Sequence, residues 1–251
     1  MTTKRLRIFA GPNGSGKSSL YAFLVRKGYF SKRISIDADR IARHLAANGF
    51  SVRGWPVSCS LDEFLASTKR NSRPMHGLRP EELERGLTLK GSVYRWHGRK
   101  SPTALNVVAA LLADYLVDKM LEQDGTFSCE TVFSHPSKLD LISRAKERGF
   151  RVYLYFVSTR DAGINWERVK ARVAQGGHAV SRQKVIDRYG KSLENVRAAV
   201  LSADRVYFFD NSESTKNAFL HFALAENGKI SIIGSDDVPG WFAERILKTA
   251  P

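Results

Sequence analysis

The eight residues Gly11-Pro12-Asn13-Gly14-Ser15-Gly16-Lys17-Ser18 match the pattern G-x-x-x-x-G-K-[S/T] in full, and they constrain the chain more than any other stretch. A short strand, Arg5 to Ala10, leads straight into the glycines, and residues 18–25 follow with helical apolar spacing. A strand, a glycine-rich turn and a helix in that order set backbone N–H groups around an anion at the helix N-terminus. Lys17 then brings a point charge to the β- and γ-phosphates of a nucleoside triphosphate, and Ser18 a hydroxyl ligand for Mg2+. A chance glycine-rich turn would have to supply Gly11, Gly16, Lys17 and Ser18 at the four fixed positions of an eight-residue pattern, with both flanks right. Residues Gly11, Pro12, Asn13, Gly14, Ser15, Gly16, Lys17 and Ser18 are therefore the expected nucleotide contacts, with ATP or GTP and Mg2+ as cofactors.

Downstream, strand and helix patterns alternate. Short strands are expected at 34–37, 126–129, 151–157 and 206–209, and helices at 38–48, 104–121, 136–148, 163–175 and 183–199. That rhythm means an α/β, P-loop kinase-like three-layer fold, its mostly parallel central sheet flanked by helices. Two segments depart from it. Residues 50–103 are rich in Gly, Pro and Ser, with short helical stretches only near 61–67 and 81–87, and read as an insertion. Residues 216–251 read as a C-terminal extension, a β-hairpin turning at Glu226-Asn227-Gly228 and then a helix at 239–248. The organisation expected is a single domain over 1–251.

Composition narrows the class. A formal net charge of +15 points to anionic partners, and the excess is spread along the chain rather than held in a basic tail. No apolar run approaches the length of a membrane span, and Ile8-Phe9-Ala10 is too short for a signal-peptide core. Cys59 and Cys129 fit neither a disulfide framework nor a zinc spacing. A cytoplasmic protein with no membrane partner is expected.

Carboxylates at strand ends carry the next inference. Asp37 and Asp39 follow the second strand, and Glu130 with Thr131 closes the third. Parallel strands bring such groups to the C-terminal edge of the sheet, where the triphosphate also sits. A kinase needs a base for the acceptor hydroxyl there, and polar groups for its other hydroxyls. For Asp37 and Asp39 the alternative is helix N-capping. Arg168 and Arg172, four apart on a helix, share a face that could clamp the phosphates from opposite the loop, with Gly176-Gly177 as a hinge. A solvated basic helix face is the other reading of that pair.

The segments AGPNGSGKSS, SIDADRIARHL, FSCETVFSHPSK, RVYLYFVST, WERVKARVAQGGH and DRVYFFDNS occur in this order, and together they resemble the zeta-toxin family of P-loop kinases. The resemblance implies the toxin of a toxin–antitoxin pair, one that uses ATP to phosphorylate the sugar 3′-hydroxyl of UDP-N-acetylglucosamine. It implies that Asp39 is the catalytic base, with Lys17, Arg168 and Arg172 on the phosphates and Ser18 on Mg2+. Glu130 and Thr131 take the sugar-nucleotide contacts, and Asp114 is the carboxylate on the helix before them. An acidic antitoxin is the implied protein partner. The 50–103 insertion has no counterpart in that pattern, and Phe133 stands where a polar substrate-contacting residue is expected.

Two other functions compete. A polynucleotide or tRNA kinase would use the charge more directly, with Tyr94, Trp96 and His97 beside Arg95, Arg99 and Lys100 as its nearest stacking platform. A non-catalytic nucleotide-binding interaction protein would leave Asp39 and Glu130 without a role.

Overall fold

The computed structural model describes residues 4–70, 75, 77–175, 179–213, 219–234 and 238–248. The chain divides into two compact units, one made of Met1–Arg33 with Gly125–Pro251, the other of Ile34–Asp124.

In the first unit the strands are β1 (Arg5–Ala10), β6 (Thr126–Thr131), β7 (Arg151–Ser158), β8 (Arg205–Asp210), β9 (Leu220–Glu226) and β10 (Lys229–Ile232). They lie side by side in the order β10-β9-β8-β7-β1-β6. The four strands β6, β1, β7 and β8 run parallel, and β9 and β10 add an antiparallel hairpin at one side. Parallel neighbours need crossovers, which here include α1 (Lys17–Arg26), α6 (Ser137–Glu147), α7 (Ala162–Ala174) and α8 (Arg182–Ser202). Register then fixes the site. Ala10 pairs with Thr131 on one side and Phe156 on the other, so β1 and β6 end level with one another just before the glycines, and β7 runs two residues further to Ser158.

The sheet interior is apolar on both faces, as a covered parallel sheet requires. Ile8, Leu154, Phe156, Val206 and Phe208 are fully buried. On one face Phe9, Tyr155 and Tyr207 are register partners on adjacent strands, and their rings stack with centroids 4.8 Å apart at each step. The hairpin turns through Asn227 and Gly228, both with φ above zero, as the expected Asn-Gly turn requires. The C-terminal helix is one short turn, Gly240–Phe242, continued by a π-helical turn at Ala243–Leu247. It buries Trp241 and Phe242 against Phe156, Phe208 and Phe222.

The second unit holds β2 (Ser35–Ile36), α2 (Ala38–Ala46), β3 (Phe50–Ser51), α3 (Leu61–Arg70), α4 (Pro80–Gly86), β4 (Leu87–Lys90), β5 (Val93–Trp96) and α5 (Pro102–Leu121). Its helices α2 and α3 pack on α5. The two short helices expected in 50–103 are present, but the segment also forms an antiparallel sheet in the order β3-β5-β4. Lys90 pairs with Val93 across a two-residue Gly91-Ser92 loop, a hairpin signal outweighed in the sequence by the Gly and Ser content around it. Along β5 the side chains alternate: Tyr94 and Trp96 are buried, Arg95 and His97 exposed. Within the first unit, the segment Met1–Arg33 carries eight Lys and Arg and no Asp or Glu. Among the described residues no helix is long and apolar enough to cross a membrane.

Candidate phosphate-loop site

The loop after β1 is wedged against its neighbours. Gly14 has φ +80°, and a Cβ there would lie 2.4 Å from the backbone oxygen of Asn165 in α7. A Cβ on Gly11 would lie 2.0 Å from the Val157 oxygen at the end of β7. Only glycine fits a loop held this closely on both sides. Lys17 Nζ donates to the Gly11 and Pro12 carbonyls at 3.0 and 2.9 Å, so its ammonium lies over the first half of the loop. Gly16 precedes α1 in the left-handed conformation, and the helix N-terminus opens directly behind it.

Ser18 Oγ donates to Glu130 Oε2 at 2.6 Å. The hydroxyl that the motif assigns to Mg2+ therefore sits beside a carboxylate from the end of the neighbouring strand. Two hard oxygen donors, one of them anionic, at a helix N-terminus fit Mg2+, which takes few protein ligands and completes its shell with phosphate oxygens and water. Among the described residues no cluster of three or more His, Cys, Asp or Glu offers an all-protein metal site. Thr131, next along, turns inward on its own loop, its hydroxyl accepting the Phe133 N–H at 3.1 Å. Phe133 is buried, with φ +61°, so this position gives the loop its packing and backbone shape rather than a substrate contact.

The arginines divide their work. Arg168 of α7 is half-buried; Nη1 donates to the Asn211 carbonyl at 2.7 Å and Nη2 to that of Glu213 at 3.4 Å. Burial lowers its pKa from the usual arginine value, against the opposing pull of the Asp210 carboxylate. Asn211 Nδ2 in turn donates to the Ser15 oxygen at 2.8 Å, so Arg168 braces the segment after β8, which holds the phosphate loop. Arg172 lies exposed on the next turn of α7. The expected hinge, Gly176-Gly177, lies outside the described residues.

Three features were not singled out in the sequence. Arg188 of α8 donates from Nη1 to Asn13 Oδ1 at 3.2 Å, reaching the phosphate loop itself. The same helix sends the Tyr189 hydroxyl to the Thr159 oxygen, Ser192 Oγ to Val132 and Asn195 Nδ2 to Phe133. Residues 188, 192 and 195 share one face by the i, i+4, i+7 rule, which was the available signal. Asp210, at the end of β8, is buried and accepts from Trp241 Nε1 at 2.7 Å, Ser212 N at 2.8 Å and Ser212 Oγ at 3.0 Å.

In the second unit Asp37 is the N-cap of α2, its Oδ1 accepting the Asp39 N–H at 3.0 Å. Capping, the alternative left open for it, is thus one of its roles. Asp39 is exposed in the first turn of α2, and Asp114 half-buried on α5. With Tyr94 and Trp96 in the core of that unit, no base can stack on them.

A complete phosphate loop between the first strand and first helix of a parallel sheet defines a P-loop α/β protein. The Zeta toxin family model matches residues 94–219, half of the chain, and the chain belongs to that family. An uncharacterized protein of Haemophilus influenzae is 32% identical over 90 residues, 36% of this chain and 64% of that protein. The AvrRxo1-ORF1:-ORF2 complex with ATP aligns at TM-score 0.57 and 14% identity, over 92% of this chain and 60% of its counterpart. The PezAT chromosomal toxin–antitoxin system of Streptococcus pneumoniae aligns at TM-score 0.51 and 10% identity, over 98% and 80%. At those identities the two structures share the fold. The chain spans less than two thirds of both the H. influenzae relative and the AvrRxo1 counterpart.

Proposed function

We propose that the chain is an ATP-dependent kinase that phosphorylates a hydroxyl of a small anionic acceptor, a UDP-sugar such as UDP-N-acetylglucosamine, as the toxin of a toxin–antitoxin pair. The observation that carries this reading is the Ser18–Glu130 contact at 2.6 Å beneath an intact phosphate loop, a nucleotide and Mg2+ site built from both sides. In this reading Glu130 serves the metal side of the site. Mg2+, when bound, would neutralise charge on the β- and γ-phosphate oxygens. Lys17 leaves its loop carbonyls for the phosphates, and Asp39 accepts the proton of the acceptor hydroxyl. The acceptor oxygen bonds to the γ-phosphorus as the bond to ADP breaks. GTP would satisfy the same loop, which reads phosphates rather than the base. An acidic antitoxin is the protein partner proposed, and the acid-free run Met1–Arg33 favours it by charge. The PezAT likeness to a toxin–antitoxin system points the same way.

The net charge of +15 favours a second reading, a kinase of nucleic acid. Incubation with γ-labelled ATP and a panel of UDP-sugars, nucleosides and tRNA separates the two. A UDP-sugar acceptor gives label on the sugar nucleotide and a KM that rises mildly between about 50 and 200 mM salt. Label on RNA, with affinity falling roughly 10³–10⁵-fold over that range, reverses the ranking.

A further inference from the structure

The helical arginine that the family pattern puts on the phosphates, Arg168, is directed in this chain at two carbonyls of the segment after β8. Arg188 of α8 reaches the loop at the third position of the motif, and it is half-buried there. Lys17 Nζ rests on the oxygen of the residue just before, Pro12. Two cationic groups thus converge on residues 11–13, the half of the loop farthest in sequence from the α1 N-terminus. The bond from Arg188 to Asn13 ends on a neutral amide oxygen at 3.2 Å. Two oxygens of a phosphate would accept from the same guanidinium through shorter, charge-assisted bonds in a bidentate contact.

The rest of α8 holds Arg188 in place. One turn on, Ser192 donates to the Val132 oxygen at 2.6 Å, and Asn195 to Phe133 at 2.9 Å. Tyr189 donates to Thr159 at 2.7 Å, and burial pushes its hydroxyl pKa up to about 12, so it remains a donor at any ordinary pH. Helix α8 is therefore pinned to the loops after β6 and β7, and a guanidinium on it is aimed by a fixed support.

We propose that Arg188 is the arginine that contacts the terminal phosphate of the bound nucleotide, turning from Asn13 to that phosphate when a triphosphate binds. The proposal rests on the reading of the loop as an ATP site and deepens it. Its consequence is selectivity: Arg188 acts on ATP and little on ADP, whose terminal phosphate lies one group deeper in the loop.

The test is calorimetric titration of Mg·ATP and Mg·ADP into wild type, Arg188→Gln and Arg188→Lys, each checked for folding by circular dichroism. Gln keeps a neutral donor for Asn13, and Lys keeps the charge. The expected result is ATP affinity about 10- to 100-fold weaker in the Gln variant, the range of a lost charge-assisted bond, with ADP within about 3-fold of wild type. The Lys variant, which keeps the charge but loses the bidentate fork, falls between wild type and Gln for ATP and stays near wild type for ADP. An ATP-to-ADP affinity ratio in the Gln variant equal to that of wild type overturns the proposal, because Arg188 then only braces Asn13. If Gln does not fold, a Lys variant with wild-type ADP affinity and weakened ATP affinity supports it; one that changes both nucleotides equally, or neither, overturns it. Wild type that binds neither nucleotide refutes instead the ATP-site reading itself.

Discussion

Replacing Gly14 with Ala tests the closeness of the phosphate loop to α7. The new Cβ would lie 2.4 Å from the Asn165 backbone oxygen, and the neighbour that must yield is helix backbone rather than a movable side chain. Two costs add. An L-residue at φ +80° costs roughly 1–2 kcal/mol, and forcing an extra carbon into packed surroundings typically costs about 1–3 kcal/mol. Gly28 is the control: its φ is +77°, and a Cβ there meets nothing within 4 Å, so only the first cost applies. Gly14→Ala is thus expected to lose about 1–3 kcal/mol more than Gly28→Ala, or roughly 2–12 °C in Tm for a chain of this size. Differential scanning calorimetry of the two variants reads the difference, and titration with Mg·ATP reads the site. Gly14→Ala should lose ATP binding while Gly28→Ala keeps it. Equal Tm losses with equal ATP affinities would refute the packing argument.

Trp241→Phe removes one of the three donors to the buried Asp210 carboxylate, and should lower stability by about 1–3 kcal/mol, read from the Tm. A Tm unchanged within a degree would show that the contact contributes nothing. Burial lowers the pKa of His221 below its usual 6.5, so the unfolded chain takes up its proton more readily than the folded one. Its stabilising share is therefore present above pH 6.5 and lost as pH falls below it, by at most about 1.4 kcal/mol per pH unit. Thermal melts from pH 7 to 5 should fall less steeply in His221→Phe than in wild type, and parallel profiles would contradict this. Asp39→Asn should leave Mg·ATP affinity near wild type while kcat falls roughly 10²–10⁴-fold. Lost ATP affinity with unchanged kcat would make Asp39 a binding residue instead.

What was legible in the sequence follows from how local each signal is. The phosphate loop is encoded in eight consecutive residues, and the parallel strands in short apolar runs between helical patterns, so both were readable. The Asn-Gly hairpin turn was readable for the same reason. Asp37 as a helix cap was one of two readings, because a carboxylate after a strand serves capping and chemistry alike. The β4–β5 hairpin was missed where a Gly-Ser pair inside a Gly- and Ser-rich stretch looked like loop. Long-range contacts were not readable at all. Nothing near Arg188 in the chain indicates that it meets Asn13, 175 residues away, and Arg168 engages carbonyls 43 and 45 residues on. Trp241 reaches Asp210 only because the C-terminal turn folds back onto the sheet.

The central claim is that the loop from Gly11 to Ser18 binds ATP and delivers its γ-phosphate to a small acceptor. The direct measurement compares wild type with Lys17→Ala for Mg·ATP binding by calorimetry and for transfer of label from γ-labelled ATP to UDP-N-acetylglucosamine. Wild type is expected to bind ATP and label the sugar nucleotide, and Lys17→Ala to lose the transfer while remaining folded. Label transfer by Lys17→Ala at the wild-type rate, or wild type that binds no ATP, would contradict it.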